Sequence, residues 1–174
     1  MMDVDDYGGR VVGGAVTGPD WRDDRLGAAA RGENPAVIAR LRTGWAVLGD
    51  TQHLPGYTLL LYAGTADHLT DLPAPERLGF LADMSLLGEA VVAVLREQDP
   101  AFERLNYEIL GNSWPHLHAH LHPRYAWEPQ PWRRGPVWRY DPRVRAAPEH
   151  ALGIRHDPLK HLIAAKLEEL AGGR

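Results

Sequence analysis

The chain contains no cysteine among its 174 residues. That absence excludes disulfides, thiolate metal sites, iron–sulfur clusters and a cysteine nucleophile. An excess of positive charge is missing too: 19 lysines and arginines stand against 23 aspartates and glutamates, a formal net charge of −4. Gripping a phosphate backbone regardless of sequence needs a basic stripe, so the charge argues against polymeric nucleic acid and leaves a small nucleotide open. No uninterrupted apolar run approaches the roughly eighteen residues of a membrane span. The Met-Met-Asp-Val-Asp-Asp start is acidic where a secretion signal is basic. The expectation is a cytoplasmic protein without a membrane partner. Its length suits one domain with room for tails.

What the chain does have is histidine in an unusual place. Four of its nine histidines, His116, His118, His120 and His122, alternate with Leu117, Ala119 and Leu121. A strand turns successive side chains to opposite faces, so this spacing predicts a row of imidazoles on one face and a core-facing apolar row on the other. Neighbouring histidines in such a row stand about 6–7 Å apart along the strand, close enough to act on one substrate. The other five, His53, His68, His150, His156 and His161, carry no argument from sequence.

The rest of the pattern predicts an α+β fold, an antiparallel sheet of about five strands with helices packed on it. Residues 1–33, rich in Gly, Asp and Arg, show no periodicity beyond a short Arg10-Val-Val stretch. They read as a flexible arm, with docking on a partner subunit as the alternative. Asn34-Pro35 predicts a capped short helix from Pro35 to about Leu41. Trp45–Gly49 and Tyr57–Tyr62, joined through the Pro55-Gly56 turn, predict an antiparallel pair. The longest helix is expected from about Pro75 to Glu97, burying Leu78, Leu81, Met84, Leu87, Val91 and Leu95, with Asp99-Pro100 as its stop. Strands follow at Phe102–Gly111 and from His116, separated by the tight Gly111-Asn-Ser-Trp-Pro loop. The Pro- and Trp-rich stretch after them, with Trp127, Trp132 and Trp138, reads as loops packed on the core, a cover over the site being the alternative. The main unit is thus placed at 34–148. A helical extension at 149–174, starting at Asp157-Pro158 with a leucine stripe, is placed on the same unit.

Three chemistries suit four histidines in register. One is a polar outer face without function. The second is a metal site, in which two histidines two apart on a strand share an ion completed by a carboxylate or a further histidine. The third uses imidazole as nucleophile and acid–base, one ring neutral and attacking while a charged neighbour donates to phosphate oxygens, as phosphoryl or nucleotidyl transfer requires.

At these residues the sequence resembles the histidine triad (HIT) family, whose signature is His-x-His-x-His followed by two apolar residues. Here it reads His116-Leu-His118-Ala-His120-Leu-His122, continued by Pro123-Arg124. Upstream, Asn106-Tyr-Glu-Ile-Leu-Gly-Asn-Ser113 is similar to the segment that precedes the family's triad, and Asp50 with Pro55-Gly56 is similar to its nucleotide-pocket hairpin. The resemblance spans about residues 35–125. It implies a HIT-type nucleotide hydrolase or transferase, commonly a homodimer joining two sheets. The substrate would be a nucleotide such as diadenosine tetraphosphate, cleaved at a phosphoanhydride or phosphoramidate bond. It implies His118 as the nucleophile on the α-phosphorus, flanked by His116 and His120. Asn112 and Ser113 would be donors to the phosphate and leaving group, Asn106 a phosphate contact and Asp50 a ribose acceptor. No cofactor or protein-bound metal is required, although a divalent cation can accompany a polyphosphate. Three positions depart from the family pattern. Tyr57 stands where members often have His after Pro-Gly; the segment from Asn106 to His118 is one residue shorter and lacks the Gly-Gln pair; and His122 replaces a bulky apolar residue, where it either extends the site toward a second phosphate or is solvated. The alternatives to hydrolysis are a nucleotide-binding module with little turnover, a His-ligated metal-dependent hydrolase, and transfer to inorganic phosphate.

Overall fold

The computed structural model describes residues 20–173. Five antiparallel strands form one sheet in the order β1-β2-β3-β5-β4, where β1 is Val37–Arg40, β2 Gly44–Leu48, β3 Thr58–Tyr62, β4 Phe102–Ile109 and β5 His118–Tyr125. The α+β architecture expected from the pattern is the one observed. Four helices accompany the sheet: α1 (Arg25–Ala30), α2 (Ala74–Gln98), α3 (Pro142–Arg145) and α4 (Asp157–Gly172).

Strand alternation assigns the two faces of the sheet. Ala46, Leu48, Leu60, Leu117, Ala119 and Leu121 turn to one side, where α2 (Phe80, Leu87, Val91, Val94, Leu95) and α4 (Ile163, Leu167) close the main core. Burying side chains of this size contributes about 1.5–3 kcal/mol each, so this face holds the sheet in register. The opposite face carries the imidazoles beside Val47, Leu59 and Leu61, with Trp21, Leu26 and Trp114 packed there.

Several elements differ from the sequence expectation. Pro35–Leu41 is not a helix, because the Asn34 side chain accepts from the Ala36 N–H at 2.9 Å and turns the chain directly into β1. The β-branched Val37 and Ile38 favour that extended course. The buried face of α2 runs through Phe80, Asp83, Leu87, Val91 and Val94 rather than Leu78, which is 66% exposed. Asp83 is buried there because its carboxylate accepts from the Thr43 N–H and hydroxyl, both at 2.6 Å. Although its uninterrupted apolar runs, such as Ala90 to Leu95, are short, α2 meets the length and composition of a membrane span; half of its most apolar stretch is buried in the fold. Of the expected arm, residues 1–19, including Arg10-Val-Val, lie outside the described residues. Residues 20–33 are ordered around α1, which Asp24 caps by accepting from Gly27 N–H at 3.0 Å and which buries Ala28 and Ala29. Composition hid this element because six residues are too few to show a helical period.

Candidate active site

β5 and the residues before it set the imidazole row. All four side chains, His116, His118, His120 and His122, are buried. Their rings are closer than the backbone rise implies: 4.6 Å between the centroids of His118 and His120, and 5.6 Å between His120 and His122. Each of the three triad members has one ring nitrogen fixed. His116 Nε2 lies 2.7 Å from the Tyr62 carbonyl at the end of β3, and His118 Nδ1 lies 2.6 Å from the His116 carbonyl. A carbonyl only accepts, so both nitrogens donate, and His118 is left with an unprotonated Nε2. His120 Nδ1 lies 2.7 Å from the Tyr57 hydroxyl.

Burial controls the charge of the row. Desolvation is the largest influence on three rings. It lowers His118, outweighing the hydrogen bond to the His116 carbonyl that raises it, and lowers His120 to about 3 and His122 to about 2. Burial thus favours the neutral form of His118, His120 and His122 at pH 7, so His120 is not a charged neighbour of His118.

Two indoles flank the row. Trp114 stacks on His116 with centroids 4.8 Å apart and leans on His118 at 5.3 Å. Trp138 stands edge to face against both His120 and His122 at 5.2 Å and donates from Nε1 to Glu108 at 2.7 Å. So one tryptophan of the irregular stretch does cover the site. Arg124 puts it there: the guanidinium pairs with Glu128 (2.8 Å) while donating to the carbonyls of Trp132 and Gly135, which fastens the 126–140 segment to the end of β5.

The remaining sequence candidates are placed less simply. Asn112 and Ser113 lie exposed in the loop that leads to the row. Asn106 pairs across the sheet with His122, at the far end from His118, and Glu108 is the β4 residue opposite His120. His122 is 1% exposed, so it is not solvated; neither ring nitrogen is hydrogen-bonded, and Nε2 lies 3.9 Å from the Glu108 carboxylate. Asp50 is already engaged, its two carboxylate oxygens accepting from Arg25 of α1 at 2.9 and 2.5 Å. Arg25 carried no sequence signal, whereas Glu108 did, since it shares the strand parity of Asn106. An open cavity of about 280 Å³ adjoins His118, bounded by Asp67, His68, Thr70 and Gly111. Among the described residues, no three histidine, aspartate or glutamate side chains are grouped to hold a metal ion.

No protein-family model matches the sequence, and no curated protein does. Solved structures do match. A histidine triad protein from Marinobacter aquaeolei VT8 is 24% identical, with a TM-score of 0.62 over 84% of this chain and 95% of that one. A hypothetical histidine triad nucleotide-binding protein from Sulfolobus tokodaii strain 7 is 14% identical, with a TM-score of 0.61 over 83% and 91%. A zinc-bound histidine triad family protein from Mycobacterium smegmatis is 22% identical, with a TM-score of 0.54 over 84% and 94%. The five-stranded sheet and its packed helices are the fold of the histidine triad proteins.

Proposed function

We propose that the protein is a HIT-type nucleotide hydrolase, cleaving a phosphoanhydride or phosphoramidate bond of a nucleotide through a covalent nucleotidyl-His118 intermediate. A dinucleoside polyphosphate such as diadenosine tetraphosphate is the leading substrate. The observation that carries this reading is the tautomer of His118. Its Nδ1–H donates to the His116 carbonyl at 2.6 Å, which leaves the Nε2 lone pair free, burial keeps the ring neutral, and His118 is among the residues lining an open cavity.

In the first step His118 Nε2 forms a bond to the α-phosphorus, and the phosphorus–oxygen bond to the leaving group breaks, its electron pair staying on oxygen. Hydrogen-bond donation from His120 and from the exposed Asn112-Ser113 loop offsets the charge that develops there. Water then attacks phosphorus, the phosphorus–nitrogen bond breaks with its pair returning to Nε2, and a proton leaves to solvent. Inorganic phosphate in place of water gives the phosphorylase outcome. For a ribose hydroxyl to reach Asp50, it must share that carboxylate with Arg25. A divalent cation accompanying the polyphosphate belongs to the substrate.

Replacing His118 with Ala tests the reading. Release of AMP from diadenosine tetraphosphate is expected to fall on the order of 10³-fold or more, because groups acting as one catalytic unit fail together. Undiminished turnover contradicts it.

A further inference from the structure

Two of the departures from the family pattern, Tyr57 and His122, meet in the structure. The Tyr57 ring stacks on His122 with centroids 4.2 Å apart and planes 15° from parallel. The ring also lies so close to Gly49 that a Cβ there would stand 2.2 Å from it. Tyr57 is buried and its hydroxyl reaches His120 Nδ1 at 2.7 Å. His122, which makes no hydrogen bond of its own, meets Tyr57 through this stack.

We propose that Tyr57 is a positioning residue that fixes the tautomer of His120: its hydroxyl donates to Nδ1, so the ring carries its proton on Nε2 and presents an N–H to the substrate. The direction of donation follows from satisfaction. If Tyr57 accepted from Nδ1–H, its own O–H would be left buried without an acceptor, which costs far more than an unused oxygen lone pair. Burial holds the phenol protonated, so the donor persists across the accessible pH range. The row then alternates: His118 keeps a bare Nε2 for attack, and His120 beside it offers a donor for the leaving oxygen. This deepens the proposed function and rests on it for its catalytic meaning, while the tautomer itself can be read without any substrate.

Long-range proton–nitrogen NMR of the imidazoles in the wild-type protein and in Tyr57→Phe tests it. The expected result is an unprotonated Nδ1 and protonated Nε2 for His120 in the wild type, and a mixture of tautomers in Tyr57→Phe. Nδ1–H in the wild type, or an unchanged tautomer in the variant, overturns the proposal. A second readout is kinetic: Tyr57→Phe should lower kcat on the order of 10-fold to 100-fold with little change in KM, the range of a general acid made inefficient. An unchanged kcat also overturns it. If the wild type hydrolyses no nucleotide, the proposed function fails while the NMR result still decides the tautomer.

Discussion

Burial favours the neutral over the cationic form of the β5 imidazoles His118, His120 and His122. His120 and His122 sit near 3 and 2, and His53, buried edge-on against Tyr140, is lowered to about 4, desolvation being the largest cause in each. In the unfolded chain these rings return to a value near 6.5, so below that pH the unfolded state binds more protons than the folded one. Their stabilising contribution is therefore complete above about pH 6.5 and is lost as pH falls toward their folded values. Denaturant titrations at pH 7.5 and pH 4.5 are expected to show a loss on the order of a few kcal/mol at the lower pH. A stability independent of pH over that range contradicts the burial argument. In the proposed mechanism the rate needs an unprotonated His118, so the sign is the same: turnover is expected to stay on its plateau below pH 6.5, where a solvent-exposed imidazole would already be protonated.

At the scale of elements, Arg124 links β5 to the cover over the site. Its guanidinium and Glu128 are both buried, and Tyr140 adds a hydroxyl hydrogen bond to the same carboxylate at 2.7 Å. Removing one member of such a pair leaves an uncompensated charge, a cost of about 3–5 kcal/mol. Arg124→Ala is expected to lower unfolding free energy by that amount and to change the fluorescence of Trp138 as the 126–140 segment loosens. An unchanged emission spectrum contradicts the clamp. The sequence shows Arg124 only as a motif residue. Its partner Glu128 and the carbonyls of Trp132 and Gly135 lie in a stretch without periodicity, where contacts are set by tertiary packing. By contrast the imidazole row, α2, α4 and the β2–β3 pair were legible, because alternation and helical spacing report directly which face is buried. The wrongly expected helix at Pro35–Leu41 shows the limit of local rules. Asn-Pro opens a helix or a turn equally well, and pairing with β2 decided for the strand.

For the molecule as a whole, the sheet divides labour between its faces. One builds the core with α2 and α4, and the other holds the imidazoles between Trp114 and Trp138, with α1 alongside. The part of the candidate site that sequence could reach is the part carried by a single strand. Arg25 on Asp50, Trp138 on His120 and Tyr57 under His120 come from distant segments, separated from their partners by 25, 18 and 63 residues, and nothing in their local spacing announces the contact. The central claim is that His118 carries a nucleotidyl group during turnover. It is tested most directly by rapid acid-free quench with a slow nucleotide substrate, followed by intact-mass and peptide mass spectrometry. The account predicts a mass increase of one nucleoside monophosphate residue, located on the peptide containing His118 and absent from His118→Ala. An adduct on another residue, or steady turnover with no adduct under conditions that trap acid-labile phosphoramidates, would contradict it.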